Sequence, residues 1–301
     1  MYYNTDTVLF IDGQYRKATE SSADLYSQTL HYGYGAFEGI RAYQTADGVR
    51  IFKGQEHYDR LINSCNAVNI PLSYTTDELM AISYEVLSKN GFGNAYLRPL
   101  VFCSPNMSLS RPNKVHVLIC AWEWGAYLGD KLLHLKTSSY CRPHPKSTRI
   151  EAKICGHYVN SILATTEAKD AGYDESLLLD SEGFLAEGPG ANLFFQRGDK
   201  LYTPQLGNIL PGITRATVLE LCEELNIEVA QGSYLPADLH TADSAFYCGT
   251  AAEIIGIASI DNHKLKLEWK DSLGHVLQQA YKHKVLAQEY DYLKQPLYAA
   301  Q

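Results

Sequence analysis

The stretch of sequence that decides the fold reads Glu151-Ala152-Lys153-Ile154-Cys155-Gly156-His157-Tyr158-Val159-Asn160-Ser161. Small or apolar residues flank Lys153 and would keep water away from its amine. Desolvation disfavours the ammonium form of a lysine, and a neutral amine can form a Schiff base with a carbonyl. Most lysines are solvated surface charges. Lys153 therefore becomes a candidate only together with the motifs that surround it in the chain.

Length and composition exclude several classes of protein. At 301 residues the chain is long enough for two domains. The formal net charge of -8 argues against a nucleic-acid binder, which usually carries a basic face. The N-terminus has no signal-peptide pattern, and no apolar run approaches the ~20 residues that span a bilayer. We expect a soluble, cytoplasmic protein.

Metal and disulfide frameworks are not indicated. The seven cysteines are scattered, and the sequence contains neither a C-x-x-C pair nor an H-E-x-x-H motif. We expect free thiols and no metal site.

A glycine-rich run extends from His31 to Arg41. Its glycines stand at positions 33, 35 and 39, so the G-x-G-x-x-G fingerprint of dinucleotide binding fails by one residue. The run can form a pocket wall with its aromatic residues. It can equally be a glycine-kinked strand that packs those residues in a core, and the residues alone do not decide.

The first half alternates strands with two helices. Periodicity predicts a helix from His57 to Asn69, on which Arg60 is either a solvated charge or a ligand. Thr75 to Glu78 form a capping box that opens a second helix. In the strand from Ala95 to Phe102, alternation puts Tyr96 and Arg98 on one face, where they can hold a carboxylate.

Three features of the second half suit a ligand. Glu187 ends a strand before two glycines. Its carboxylate can point into a binding site, or it can be a solvated turn residue. Leu210 to Arg215 lead into a helix for which Thr214 is a good N-cap, and such a start favours phosphate, although most are ordinary capped helices. Thr250 offers a hydroxyl and an amide in a tight turn, or is a plain turn residue.

These pieces together resemble the class IV (fold type IV) pyridoxal-phosphate enzymes and, within them, the branched-chain amino acid aminotransferases. The resemblance covers most of the chain, from His31 to about Ala252. Besides Lys153 with Tyr158, it rests on His31 to Arg41, Tyr96 to Leu100, Trp124 to Gly129, Glu187-Gly188, Leu210 to Arg215 and Gly249 to Glu253.

The resemblance implies cofactor contacts. Lys153 would bind pyridoxal 5′-phosphate covalently and move the substrate proton, as the catalytic residue. Tyr158 would contact the phenolic oxygen of the cofactor, and Glu187 its pyridine nitrogen. The phosphate would be bound by Arg60, Ile213, Thr214 and Thr250.

The resemblance also implies the substrate side and the assembly. The residues expected there are Tyr32, Phe37, Tyr96, Arg98, Tyr127, Thr250 and Ala251, with Trp124 and Met107 as further candidates. The substrates would be branched-chain L-amino acids and 2-oxoglutarate or L-glutamate. A neighbouring subunit would close the site near Met107 or Tyr127, so we expect at least a homodimer.

The expected fold is α+β with two domains: a smaller N-terminal domain over 1–125, an interdomain loop over 126–134 and a larger cofactor-binding domain over 135–301 with a β-barrel-like core. Ala191 stands where many branched-chain members have glutamate. This departure leaves open a D-amino acid or (R)-amine transaminase, or an aminodeoxychorismate lyase. A non-catalytic cofactor-binding protein is the remaining alternative.

Overall fold

A computed structural model describes residues 2–124 and 131–288 of the chain. The chain divides into two compact units, which are Met1–Gly125 with Glu151–His157 and Ala126–Ile150 with Tyr158–Gln301. The lysine-bearing segment Glu151–His157 thus belongs to the first unit, although it follows the first strand of the second unit in the sequence. Residues 126–130 of the expected interdomain loop lie outside the described residues.

The described residues of the first unit form an antiparallel sheet of seven strands and three α-helices. In chain order its elements are β1 (Val8–Ile11), β2 (Gln14–Lys17), α1 (Gln28–Tyr32), β3 (Gly35–Phe37), β4 (Ile40–Thr45), β5 (Gly48–Ile51), α2 (Gly54–Ala67), α3 (Thr76–Asn90), β6 (Ala95–Cys103) and β7 (Val115–Trp122). The sheet order is β2-β1-β7-β6-β4-β5, and β3 also pairs with β6.

Apolar residues of α2 and α3 pack with the sheet in one core. Leu61 of α2, Leu79 of α3 and Leu97 of β6 are fully buried in it. The capping box predicted at Thr75 and Glu78 is confirmed, with both reciprocal bonds present. The predicted start of α2 is wrong by three residues, because its N-cap Lys53 makes no side-chain cap and so leaves no signal in the sequence.

The second unit is built on a nine-stranded mixed sheet. Its elements are β8 (Leu133–Cys141), α4 (Tyr158–Asp170), β9 (Glu175–Leu179), β10 (Leu185–Glu187), β11 (Asn192–Arg197), β12 (Lys200–Pro204), α5 (Ile213–Glu224), β13 (Glu228–Gly232), α6 (Pro236–Leu239), β14 (Ser244–Gly249), β15 (Glu253–Ile260), β16 (His263–Lys264) and α7 (Leu273–Val285).

Six of these strands close into a barrel. The ring runs β8-β9-β10-β11-β14-β15, and the parallel pairing of β15 with β8 completes it. Closure removes the exposed sheet edges of the ring. Its core contains buried side chains such as Leu193, Phe195 and Tyr247. The expectation of an α+β fold with a barrel-like core is confirmed.

Within residues 2–124 and 131–288, no helix has both the length and the apolar character of a membrane span.

The core of the first unit gives a stability prediction. Leu97 lies at 0% relative exposure in β6, whereas Leu109 is 91% exposed. Leu97→Ala leaves a cavity and should cost about 2–5 kcal/mol of unfolding free energy. Leu109→Ala should change it by less than about 0.5 kcal/mol. The urea midpoints of the two variants test this, and equal midpoints would contradict the burial of Leu97.

Candidate active site

Main-chain hydrogen bonds fix the lysine segment to β3 and to the turn between α1 and β3 in the first unit. The Phe37 N–H donates to the Lys153 carbonyl at 3.1 Å, and the Gly156 N–H donates to the Gly33 carbonyl at 2.9 Å. The Lys153 N–H donates to Ser64 Oγ at 2.9 Å. Ala152 and Ile154 on either side are buried in the core, so Lys153 is held from both sides.

Two glycines permit this docking. Gly33 ends α1 with a φ of 66°, which is the left-handed region. A Cβ added to Gly33 would lie 2.7 Å from Gly156 Cα. Since real Cβ contacts of that length do not occur, a side chain at position 33 would push the lysine segment away from β3.

An aromatic and cationic cluster surrounds the lysine. Lys153 Nζ lies 5.1 Å from the ring centroid of Phe37. The guanidinium carbon of Arg98 lies 4.8 Å from the same centroid, 5.6 Å from that of Tyr96 and 5.8 Å from that of Trp122. Cation–π contacts of this kind hold a positive charge at the face of a ring. The structure thus brings together Lys153, Phe37, Tyr96 and Arg98, all four expected from the sequence.

Arg98 retains unused hydrogen-bonding capacity. Within the described part of the chain its buried Nε atom has no hydrogen-bond partner. The Tyr96 ring, 4.8 Å from that of Trp124, approaches the backbone so closely that a Cβ on Gly39 would lie 1.8 Å from the tyrosine oxygen. A buried guanidinium donor without a partner suits a carboxylate ligand.

Arg60 belongs to a buried ionic cluster in the same unit. Its Nε and Nη2 donate to the two carboxylate oxygens of Glu38 at 2.6 and 2.9 Å, and His57 Nδ1 lies 2.7 Å from Glu38 Oε2. Burial alone would raise the pKa of Glu38, but Arg60 and His57 together lower it far below its ordinary value. Burial lowers the pKa of His57, so a neutral imidazole donates to the carboxylate.

Glu187 in the second unit is equally buried, and the alternative of a solvated turn carboxylate is wrong. The Nε of Arg142 lies 3.0 Å from Glu187 Oε1 as an ion pair. Asn192 Nδ2 donates to Glu187 Oε2 at 3.0 Å, and the Leu210 N–H donates to the same carboxylate at 3.2 Å. These are the partners that a buried ionised carboxylate requires.

The start of α5 lies beside this carboxylate. Its N-cap is Gly212, and no side chain caps it, so the prediction of Thr214 as N-cap is wrong: Thr214 is the second residue of the helix. The first main-chain bond runs from Ala216 to Gly212, which leaves the preceding amides without intrahelical partners. Such amides, with the helix dipole, attract an anion.

The turn that contains Thr250 approaches the loop after Glu187. A Cβ on Gly249 would lie 2.9 Å from the Gly190 carbonyl oxygen, so the two loops pack backbone to backbone. The second unit therefore brings together three features expected from the sequence, which are Glu187, the start of α5 at Ile213 and Thr214, and Thr250.

The other expected residues are placed as follows. Tyr158 is the first residue of α4. Tyr32, exposed at the end of α1, donates its hydroxyl to the Met107 carbonyl at 3.2 Å. Ala251 is half-buried in the turn after β14. Tyr127 lies outside the described residues.

Sequence reasoning missed the residues that hold the carboxylates. Arg142 is 45 positions from Glu187 in the numbering and precedes an ordinary proline, so no local signal marks it. His57 stands three positions before Arg60, one helical turn apart on α2, which is the spacing that could have suggested a shared partner. Asn192 is the first residue of β11 and carries no signal of its own in the sequence.

Comparisons with known proteins agree with this geometry. The family model described as Amino-transferase class IV matches residues 35–260. The branched-chain-amino-acid aminotransferase of Pseudomonas aeruginosa is 39% identical over 282 residues, which cover 92% of each chain. The chain belongs to the class IV aminotransferases.

Solved structures of class IV aminotransferases share the fold. The branched-chain amino acid aminotransferase of Escherichia coli has a TM-score of 0.92 at 34% identity, covering 96% of this chain and 98% of its own. The branched-chain amino acid aminotransferase of Thermobaculum terrenum, solved in its PLP-form, has a TM-score of 0.89 at 31% identity and covers 97% of this chain and 97% of its own.

A glycine exchange in this class IV aminotransferase tests the packing around Glu187. A Cβ on Gly212 would lie 2.0 Å from Asn192 Oδ1, whereas a Cβ on Gly190 meets nothing within 4 Å. Gly212→Ala should displace Asn192, leave the buried carboxylate short of a donor and cost about 1–3 kcal/mol of unfolding free energy.

Gly190→Ala is the matched control and should be neutral or raise stability by up to about 1 kcal/mol. Urea unfolding of both variants beside the parent measures the difference. Equal unfolding free energies of the two variants would show that the position of Asn192 does not require a glycine at position 212.

Proposed function

We propose that this chain is a pyridoxal-phosphate-dependent aminotransferase that moves an amino group reversibly between L-leucine, L-isoleucine or L-valine and 2-oxoglutarate. The observation that carries the proposal is the fixed position of Lys153, with its Nζ 5.1 Å from the ring centroid of Phe37. Its relatives at 37% and 39% identity are named branched-chain-amino-acid aminotransferases, which favours this reading over other class IV activities.

The residues present fit the cofactor group by group. A phosphate dianion suits the uncapped first turn of α5, where Gly212 presents no side chain. A protonated pyridine nitrogen suits the buried carboxylate of Glu187. An aldehyde suits a lysine amine. We assign the phosphate to Arg60, Ile213, Thr214 and Thr250, and the phenolic oxygen to Tyr158.

When bound, pyridoxal phosphate supplies a ring that withdraws electrons from the substrate Cα. Lys153 Nζ would hold the cofactor in the resting enzyme and, once released by the substrate, would move a proton between the amino acid Cα and C4′ of the cofactor, in opposite directions in the two half-reactions. The Glu187 carboxylate, which Arg142 and Asn192 hold in place, would pair with the pyridine nitrogen.

Substrate recognition is assigned to the cluster around Arg98. Its Nε, which has no hydrogen-bond partner among the described residues, is suited to a substrate carboxylate. The rings of Phe37 and Tyr96 give an apolar surface for a branched aliphatic side chain. We assign Tyr32, Tyr127, Thr250 and Ala251 to the same substrate side. One such site would take leucine-like and glutamate-like substrates in turn.

We propose a homodimer in the cytoplasm as the working form. Met107 and Leu109 expose 50% and 91% of their surface, and Leu25 and Tyr26 expose 74% and 66%. An isolated β-bridge between Ser27 and Pro105 joins the two chain segments that contain these four exposed residues. An apolar patch of this kind favours a partner chain, and we propose a second copy of this chain as that partner.

Absorbance spectroscopy of the two half-reactions tests the proposed function. The purified protein with pyridoxal phosphate should be yellow, L-leucine alone should bleach the colour, and 2-oxoglutarate should restore it. Lys153→Ala should abolish this cycle, whereas Lys146→Ala, an exposed lysine seven residues earlier, should leave it intact.

A different response would identify the alternative. If the colour ignores L-leucine but responds to D-alanine or an (R)-amine, the cofactor assignment stands and the branched-chain substrate is wrong. If no colour develops after pyridoxal phosphate is supplied, the role of Lys153 is contradicted.

A further inference from the structure

Three side chains of the first unit that the transaminase reaction does not use form a hydrogen-bonded chain. Ser104 Oγ lies 3.0 Å from His116 Nε2. His116 Nδ1 lies 2.5 Å from Asp12 Oδ2. Serine, histidine and aspartate joined through the two ring nitrogens in this order are the arrangement that activates a serine hydroxyl for nucleophilic attack.

The register of the sheet produces this alignment. His116 lies on β7 opposite Phe102 of β6, so that Ser104 follows β6 one residue beyond its last paired position. Asp12 follows β1, whose Ile11 pairs with Leu118 of β7. The three residues thus come from the ends of three neighbouring strands. In the sequence, Asp12 and His116 are 104 positions apart. No sequence spacing could have revealed them.

Each member is held in orientation by separate contacts. Asp12 Oδ1 accepts from the Val117 N–H at 3.0 Å, which leaves Oδ2 for the histidine. The His116 ring stacks on Phe102 with centroids 4.8 Å apart and an interplanar angle of 24°. In the neutral imidazole Nδ1 carries the ring proton, because a carboxylate only accepts, and Nε2 then accepts from the Ser104 hydroxyl.

The chain of three opens into a cavity of about 510 Å³. Its walls include Ser104, His116 and Asp12 together with Lys114 and Arg16. Cavities of this size admit small molecules. The carboxylate of Asp24 also lines the wall, so charges of both signs face the cavity.

We propose that Ser104 is the nucleophile of a second site, which hydrolyses small carboxylic esters. Ser104 Oγ bonds to the ester carbon as its proton passes to His116 Nε2, and that proton then leaves with the alcohol. A water gives its proton to His116 and its oxygen to the acyl carbon, and the histidine returns the proton to Ser104 as the acid departs. Asp12 keeps the imidazole in the required tautomer.

A fluorophosphonate reagent tests the nucleophile in the cofactor-loaded protein. Ser104 Oγ would bond to phosphorus with loss of fluoride, and peptide mass spectrometry should place one label on the peptide that contains Ser104. Ser104→Ala should remove the label and the hydrolysis of p-nitrophenyl acetate. His116→Ala and Asp12→Asn should slow labelling, the former by about 10²-fold or more.

Ser108→Ala is the matched control, because the hydroxyl of this exposed serine bonds to Asn106 Oδ1 and Ser110 Oγ in the described structure and to no imidazole. The Ser108→Ala variant should be labelled at Ser104 at the same rate as the parent protein. Cofactor absorbance equal to that of the parent shows that each variant is folded. An unlabelled Ser104 in the parent, or labelling that His116→Ala leaves unchanged, would overturn the proposal.

Discussion

The contact between the backbones of Gly33 and Gly156 is the constraint on which the candidate active site depends. With no side chain at either position, the Gly156 N–H reaches the Gly33 carbonyl at 2.9 Å, and the lysine segment lies against β3. Ala152 and Ile154 then fill the core of the first unit, and Lys153 is left beside Phe37. The placement of a reactive amine is therefore determined by main-chain geometry and apolar packing.

Buried carboxylates organise the rest of each unit. Glu38 and Glu187 are both almost fully buried, and a buried charge must be paired. Glu38 pairs with Arg60 and His57, whereas Glu187 pairs with Arg142, Asn192 and the loop before α5. These partners position groups that can hold a ligand. An ionic cluster that satisfies its own charges thus also fixes the geometry of the surrounding groups.

Local sequence signals predicted the elements better than the contacts between them. The Thr75 capping box is present, because it depends on residues that lie a few positions apart. The start of α2 and the cap of α5 were wrong, because Lys53 and Gly212 supply no capping side chain. Arg142 with Glu187, and Ser104 with His116 and Asp12, are long-range pairings that depend on strand register. Family resemblance supplied roles for Lys153 and Glu187 that their local sequence left undecided.

The central assignment is that Lys153 is the lysine that binds the cofactor, and chemical trapping tests it most directly. The protein with pyridoxal phosphate would be reduced with borohydride, digested and mapped by mass spectrometry. We predict one phosphopyridoxyl group on the peptide that contains Lys153. A modification confined to any other lysine would contradict the assignment, and with it the role given to the Gly33 and Gly156 contact.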